Sequence, residues 1–92
     1  MFEYTENEKN QVLEKYFIND GSLQLVIFPK KQKQKYLCLL WIADIFQKEK
    51  DYSEKEVNAL LEPVYPDYVM VRRYLVDYDL LNRTPDGSRY WV

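Results

Sequence analysis

YSEKEVNALLEPVYPDYVMVRRYLVDY, residues 52–78, decides the fold. Ser53 and Glu56 form a capping box, in which each side chain takes a backbone N–H of the other residue's turn. Tyr52 and Val57 flank it where a hydrophobic staple closes, so a helix starts at Ser53. It runs through Leu60 and Leu61 and stops before Pro63, whose ring disfavours helical geometry at the preceding residue. Val64-Tyr65-Pro66 is a very short connector, and Asp67 caps a second helix from Tyr68 to about Tyr78. Two helices joined this tightly are the sequence signature of a helix-turn-helix pair.

Downstream the period changes. Asn82-Arg83-Thr84, then Pro85-Asp86-Gly87, then Ser88 to Val92 reads as a β-hairpin on a type I turn with Gly87 as its bulge. The spacing sets Thr84 opposite Ser88 and Arg83 opposite Arg89. Upstream, Gln32 to Phe46 is too long an apolar run for a strand and is read as a helix. Asp44 is the only polar residue between Tyr36 and Phe46, so that helix is apolar all round and must be covered all round. Leu23 to Phe28 reads as a strand. Thr5 to Glu8 is a second capping box, and it opens an N-terminal helix that Asn19-Asp20-Gly21 ends. This helix is the expected second cover of the central one. The competing cover is a homodimer seam through Trp41 and Ile45. The expected fold is α+β, mainly α: a winged helix-turn-helix with an extra N-terminal helix, a short strand and a C-terminal hairpin wing.

Composition agrees with one domain. The chain has 92 residues, 47% of them hydrophobic and only two of them Gly, which excludes a disordered or low-complexity chain. Residues 1–19 form a helical extension and 20–92 the core. One Cys and no His leave neither a disulfide framework nor a closed zinc site. No apolar run is long enough for a membrane span and no signal-peptide profile is present, so a cytoplasmic location is expected.

Catalysis finds little support. No His offers a general base, and Ser22, Ser53 and Ser88 have turn or cap positions. Asp77 and Asp79, two apart on a helix, face different ways. Cys38 within the central helix reads as a small buried hydrophobe. Neither Gly lies in a phosphate-cradling loop, and no cofactor is expected.

Charge is more informative in its placement than in its sum of −2. Lys30, Lys31, Lys33 and Lys35 cluster at the start of the central helix, where cations oppose the helix dipole. A bound anion accounts for them, as does a solvated loop. On the second helix of the pair, Tyr68, Val71, Leu75 and Tyr78 form the core stripe. Val69, Arg72, Arg73 and Val76 lie on the opposite side. Arg72 and Arg73 are placed to meet phosphates or base edges. They are equally placed to pair with Asp67, Asp77 or Glu62, and at least one is expected to be structural. The facing Arg83 and Arg89 call for an offsetting anion, a phosphate or an acid such as Asp86.

The segments DGSLQLVIFPKKQKQK, YSEKEVNALL, DYVMVRRYLVDYDLLNR and DGSRYW resemble the bacterial family known as domain of unknown function 2087, across residues 20–92. The resemblance implies a regulatory setting with no established activity. That domain occurs alone or joined to separate helix-turn-helix domains of transcriptional regulators, which would themselves read DNA. Val71 departs from the family's usual Leu. Asp79 departs from its usual Gly, which puts a tight helix C-cap there in question.

Two functions follow as expectations. The first is a DNA-associated transcriptional regulator domain binding double-stranded DNA through Arg72, Arg73, Arg83, Arg89, Lys30, Lys31, Lys33 and Lys35. The second is a protein-interaction or dimerisation module without direct DNA contact, using Trp41, Ile45, Val69 and Val76. An electrostatic surface separates them, since a continuous basic stripe favours the first and paired arginines the second.

Overall fold

A computed structural model describes residues 2–92. It is a small α+β fold, mainly helical, with helices α1 (Glu6–Tyr16), α2 (Gln32–Ala43), α3 (Glu54–Leu61) and α4 (Tyr68–Asp77). Two antiparallel pairs complete it: β1 (Phe17–Asn19) with β2 (Leu23–Leu25), and β3 (Asn82–Arg83) with β4 (Tyr90–Trp91).

Both capping boxes form. Thr5 Oγ1 accepts the Glu8 N–H at 3.1 Å, and Glu8 accepts the Thr5 N–H at 3.0 Å. Ser53 and Glu56 repeat the exchange at 3.1 and 2.9 Å, while Tyr52 and Val57 are both buried. Asp67 caps α4 by accepting the Met70 N–H.

α2 is the central helix. Leu37, Cys38, Leu39 and Ile42 are buried, and the expected covering by the N-terminal helix is observed. α1 lies over Trp41, whose Nε1–H donates to the Lys9 carbonyl at 2.7 Å. On another side, Tyr36 stacks on Tyr78 at the end of α4. The core continues through Val57 and Leu61 of α3, Val71 and Leu75 of α4, and Leu81 and Tyr90.

Several expected boundaries are corrected. The N-terminal helix ends at Tyr16, because Phe17 turns extended and pairs with Leu25. Gly21 does take a positive φ of 110°, but in the β1–β2 turn and not at a helix end. The strand expected to reach Phe28 stops at Leu25. Beyond it the Val26 N–H meets the carbonyl of Tyr16, already helical, so the ladder has no partner left. Val26 and Ile27 are consequently 54% and 65% exposed. The central helix ends at Ala43, and Ile45 and Phe46 continue it only as tighter bonds to Ile42 and Ala43.

The C-terminal hairpin shifts register by one residue. Arg83 opposes Tyr90, not Arg89, and the Thr84 N–H donates to the Arg89 carbonyl. The cause is a side-chain network that draws Ser88 into the turn. Asp86 accepts from the Ser88 hydroxyl at 2.8 Å, the Thr84 hydroxyl at 2.8 Å and the Ser88 N–H at 3.0 Å. Thr84 Oγ1 in turn accepts the N–H groups of Ser88 and Arg89. Strand neighbours point to opposite faces, so Arg83 and Arg89 are not a facing like-charge pair.

The C-cap in question at Asp79 is formed. Asp79 has φ 60°, its N–H donates to Val76, and the Leu80 N–H donates to Leu75. These are the two bonds of a Schellman motif. An aspartate holds the left-handed position that glycine takes more easily.

Candidate nucleic-acid interface

The sequence-predicted basic residues divide into paired and free. Arg72 is held between α4 and α3: its guanidinium is 3.2 Å from Glu54 and also donates to Asn58 Oδ1, and its side chain is 15% exposed. Glu54 and Asn58 are four apart on α3, hence on one face. Arg72 is therefore a structural clamp, as expected for at least one of the two arginines, but its partner is Glu54 and not Asp67, Asp77 or Glu62. Arg89 lies 3.1 Å from Asp51, both well exposed. Such surface pairs are weak and exchange readily with other anions.

The lysine cluster divides likewise. Lys33 is 2.8 Å from Glu8 and ties α2 to α1. Glu8 is held below the ordinary carboxylate range, first by this lysine and then by the Thr5 N–H. Lys35 lies over the Tyr74 ring, 4.5 Å from its centre. Lys30 and Lys31 are exposed and make no ion pair among the described residues.

Arg73 and Arg83 also make no ion pair among the described residues, although Asp77 is four positions beyond Arg73. Both line one cleft of about 390 Å³ between α4 and the β3–β4 hairpin, with Glu54, Arg72, Val76, Asp77 and Tyr90. Register explains the meeting: Arg83 shares its strand face with Tyr90, which is buried against the helices. Gly87, at φ 71°, turns the hairpin beside the Arg83 guanidinium; glycine is required there by that backbone angle and not by lack of space, since a Cβ would make only ordinary contact at 3.5 Å. Three guanidinium groups against two carboxylates leave the cleft lining with a net positive charge.

The apolar candidates are placed as follows. Trp41 is half-buried under α1, with the Lys9 ammonium 4.5 Å from its ring, and Ile45 is half-buried against the core. Val76 is half-buried in the cleft, and Val69 is 42% exposed. Sequence reading missed Ile18, Val26 and Ile27, exposed at 47%, 54% and 65% around the β1–β2 hairpin. Their signal was present but misleading, because a β-branched run reads as a buried strand. Among the described residues, no cluster of three His, Cys, Asp or Glu is arranged to hold a metal, and no helix is long and apolar enough to cross a membrane. Cys38 is fully buried and its thiol is pushed up to about 12 by burial.

Fold and site together define a small, mainly helical α+β domain with a cationic cleft between its last helix and its last hairpin. The family model described as "Uncharacterized protein conserved in bacteria (DUF2087)" matches residues 24–92, and the chain belongs to that family. Comparison with curated proteins and with solved structures gives no match.

Proposed function

We propose that this chain is a winged-helix domain of a bacterial transcriptional regulatory system that associates with duplex DNA through its backbone. The observation that carries this reading is the cleft lined by both Arg73 and Arg83, neither of which makes an ion pair among the described residues. In this reading α3 and α4 are the helix-turn-helix pair and the β3–β4 hairpin is the wing. A bridge supports it: Tyr52, just before α3, exchanges two 2.7 Å backbone hydrogen bonds with Tyr90 of β4, which anchors the hairpin beside the helix pair. Arg72 holds α4 on α3, and Arg73 and Arg83 supply the phosphate contacts. Arg89, Lys30 and Lys31 are exposed charges outside this cleft. α4 carries none of the Asn or Gln residues that commonly read adenine edges, so the contacts favour backbone over sequence.

Fluorescence polarisation with a mixed-sequence duplex tests it. Two phosphate contacts give a slope of log K against log salt of about −2, and Arg73→Ala or Arg83→Ala each removes about one unit. Absence of binding at about 50 mM salt, where phosphate contacts are strong, overturns the reading.

A second reading, a protein-interaction module without DNA contact, draws on a separate observation. Arg72, Arg89 and Lys33 are paired within the chain, and Ile18, Val26 and Ile27 are exposed on the far hairpin. Unchanged polarisation combined with self-association or partner capture at that hairpin selects it.

A further inference from the structure

We propose that the face of residues 24–92 covered by α1 and β1 is a docking site for a helix–strand segment, and that residues 6–19 of a second copy of this chain can occupy it in trans. The family match begins at residue 24, so α1 and β1 lie outside the matched unit. Yet the matched unit presents a built surface to them. Trp41 donates its indole N–H to the Lys9 carbonyl at 2.7 Å, and Gln34 accepts the Tyr16 hydroxyl at 2.7 Å. Lys33 meets Glu8 at 2.8 Å and Asp44 meets Lys9 at 3.6 Å. β2 takes up β1 along its edge, with Phe17 opposite Leu25. A groove that holds a helix beside an edge that accepts a strand combines two recurring modes of peptide recognition.

The segment itself has the character of a ligand. Of α1 only Val12 is buried, and β1 adds the buried Phe17. Each side-chain hydrogen bond or ion pair that leaves α1 among the described residues ends on α2 or its C-cap, Asp44. Residues 6–19 match this surface in charge, donor and apolar position, which makes a second copy of the chain the fitting partner. The hinge for such an exchange is the turn Asp20-Gly21-Ser22, with Gly21 at φ 110°. Exposed Ile18, Val26 and Ile27 lie within five residues of it. Opening the turn brings these residues of two crossing copies together, a gain that the closed monomer lacks.

Deleting Asp20-Gly21-Ser22 tests the proposal, because β1 then has no turn with which to fold back on β2. The expected product is a dimer of twice the chain mass by light scattering, with Trp41 emission still blue in a Trp91→Phe background. A monomer overturns the proposal. Should the deletion variant aggregate, the full chain with a protease site inserted after Gly21 decides. After cleavage, a synthetic peptide of residues 2–19 should rebind saturably and restore the Trp41 emission. Failure of the peptide to rebind, or loss of cooperative unfolding in the remaining fragment, overturns the proposal as well. Neither experiment involves Arg73 or Arg83, so its outcome is independent of DNA binding.

Discussion

Asp79 offers a stability change whose sign runs against the usual effect of introducing glycine. Its φ of 60° and the bonds from Asp79 to Val76 and from Leu80 to Leu75 close α4 and turn the chain toward buried Leu81. The side chain is exposed and makes no hydrogen bond or ion pair among the described residues, so substitution there acts on the backbone. An ordinary L-residue in this region costs about 1–2 kcal/mol, and aspartate somewhat less because its short polar side chain tolerates it. Glycine removes that cost and gives back about 0.4–1 kcal/mol through the freedom of the unfolded chain. Asp79→Gly is therefore expected to stabilise by about 0.5 kcal/mol, which raises Tm by about 2–4 °C in a domain of this size. Asp79→Ala is expected to destabilise by about 0.5–1 kcal/mol, and Asp79→Asn to leave stability within about 0.3 kcal/mol. Thermal and urea unfolding followed by circular dichroism gives the order Gly, Asp, Ala. An alanine variant as stable as the wild type would refute the left-handed cap, and a stabilised asparagine variant would assign the effect to charge.

Other substitutions separate structure from binding. Arg72→Ala leaves Asn58 and Glu54 without their partner and is expected to cost about 1–2 kcal/mol in urea unfolding, whereas Arg73→Ala should stay within about 0.5 kcal/mol. Cys38 should resist a thiol reagent in the folded protein and react only as fast as the chain unfolds, because it is fully buried with its thiol pushed up to about 12; rapid native labelling contradicts that burial. Asp86 is held down to about 2 by the Ser88 hydroxyl, then the Thr84 hydroxyl and the Ser88 N–H. A depressed folded-state value means the turn's contribution is full above the ordinary carboxylate value of about 4 and is lost as pH falls toward 2. Side-chain NMR titration should show Asp86 staying ionised well below the ordinary carboxylate range and taking up its proton only as pH falls toward 2, and Asp86→Asn should abolish that acid dependence.

The sequence was most legible where neighbours in the chain decide the structure. Ser53 with Glu56, Tyr52 with Val57, and Asp67 before Tyr68 each act within a few residues, and their elements form as read, whereas Pro85-Asp86-Gly87 gives the expected turn but a register one residue off. It was least legible where a distant partner decides. Phe17 leaves the helix to pair with Leu25, and Val26 loses its strand because Tyr16 is helical. In the candidate site, the placement of arginines was readable but their partners were not. Arg72 depends on how α3 packs on α4, and Arg83 depends on a hydroxyl–carboxylate network that moves the register by one. Asp79 shows the opposite case, in which an unfavourable residue hides a cap that tertiary packing enforces.

The claim that Arg73 and Arg83 form a phosphate-binding cleft is tested most directly by amide chemical-shift titration with a mixed-sequence duplex at about 50 and 150 mM salt, a range over which phosphate contacts weaken sharply. The account predicts shifts centred on Arg73, Arg83 and the neighbouring Val76 and Gly87 that fade at the higher salt, with Arg72 little changed. An undisturbed spectrum at the lower salt, or shifts confined to the β1–β2 hairpin, would contradict it.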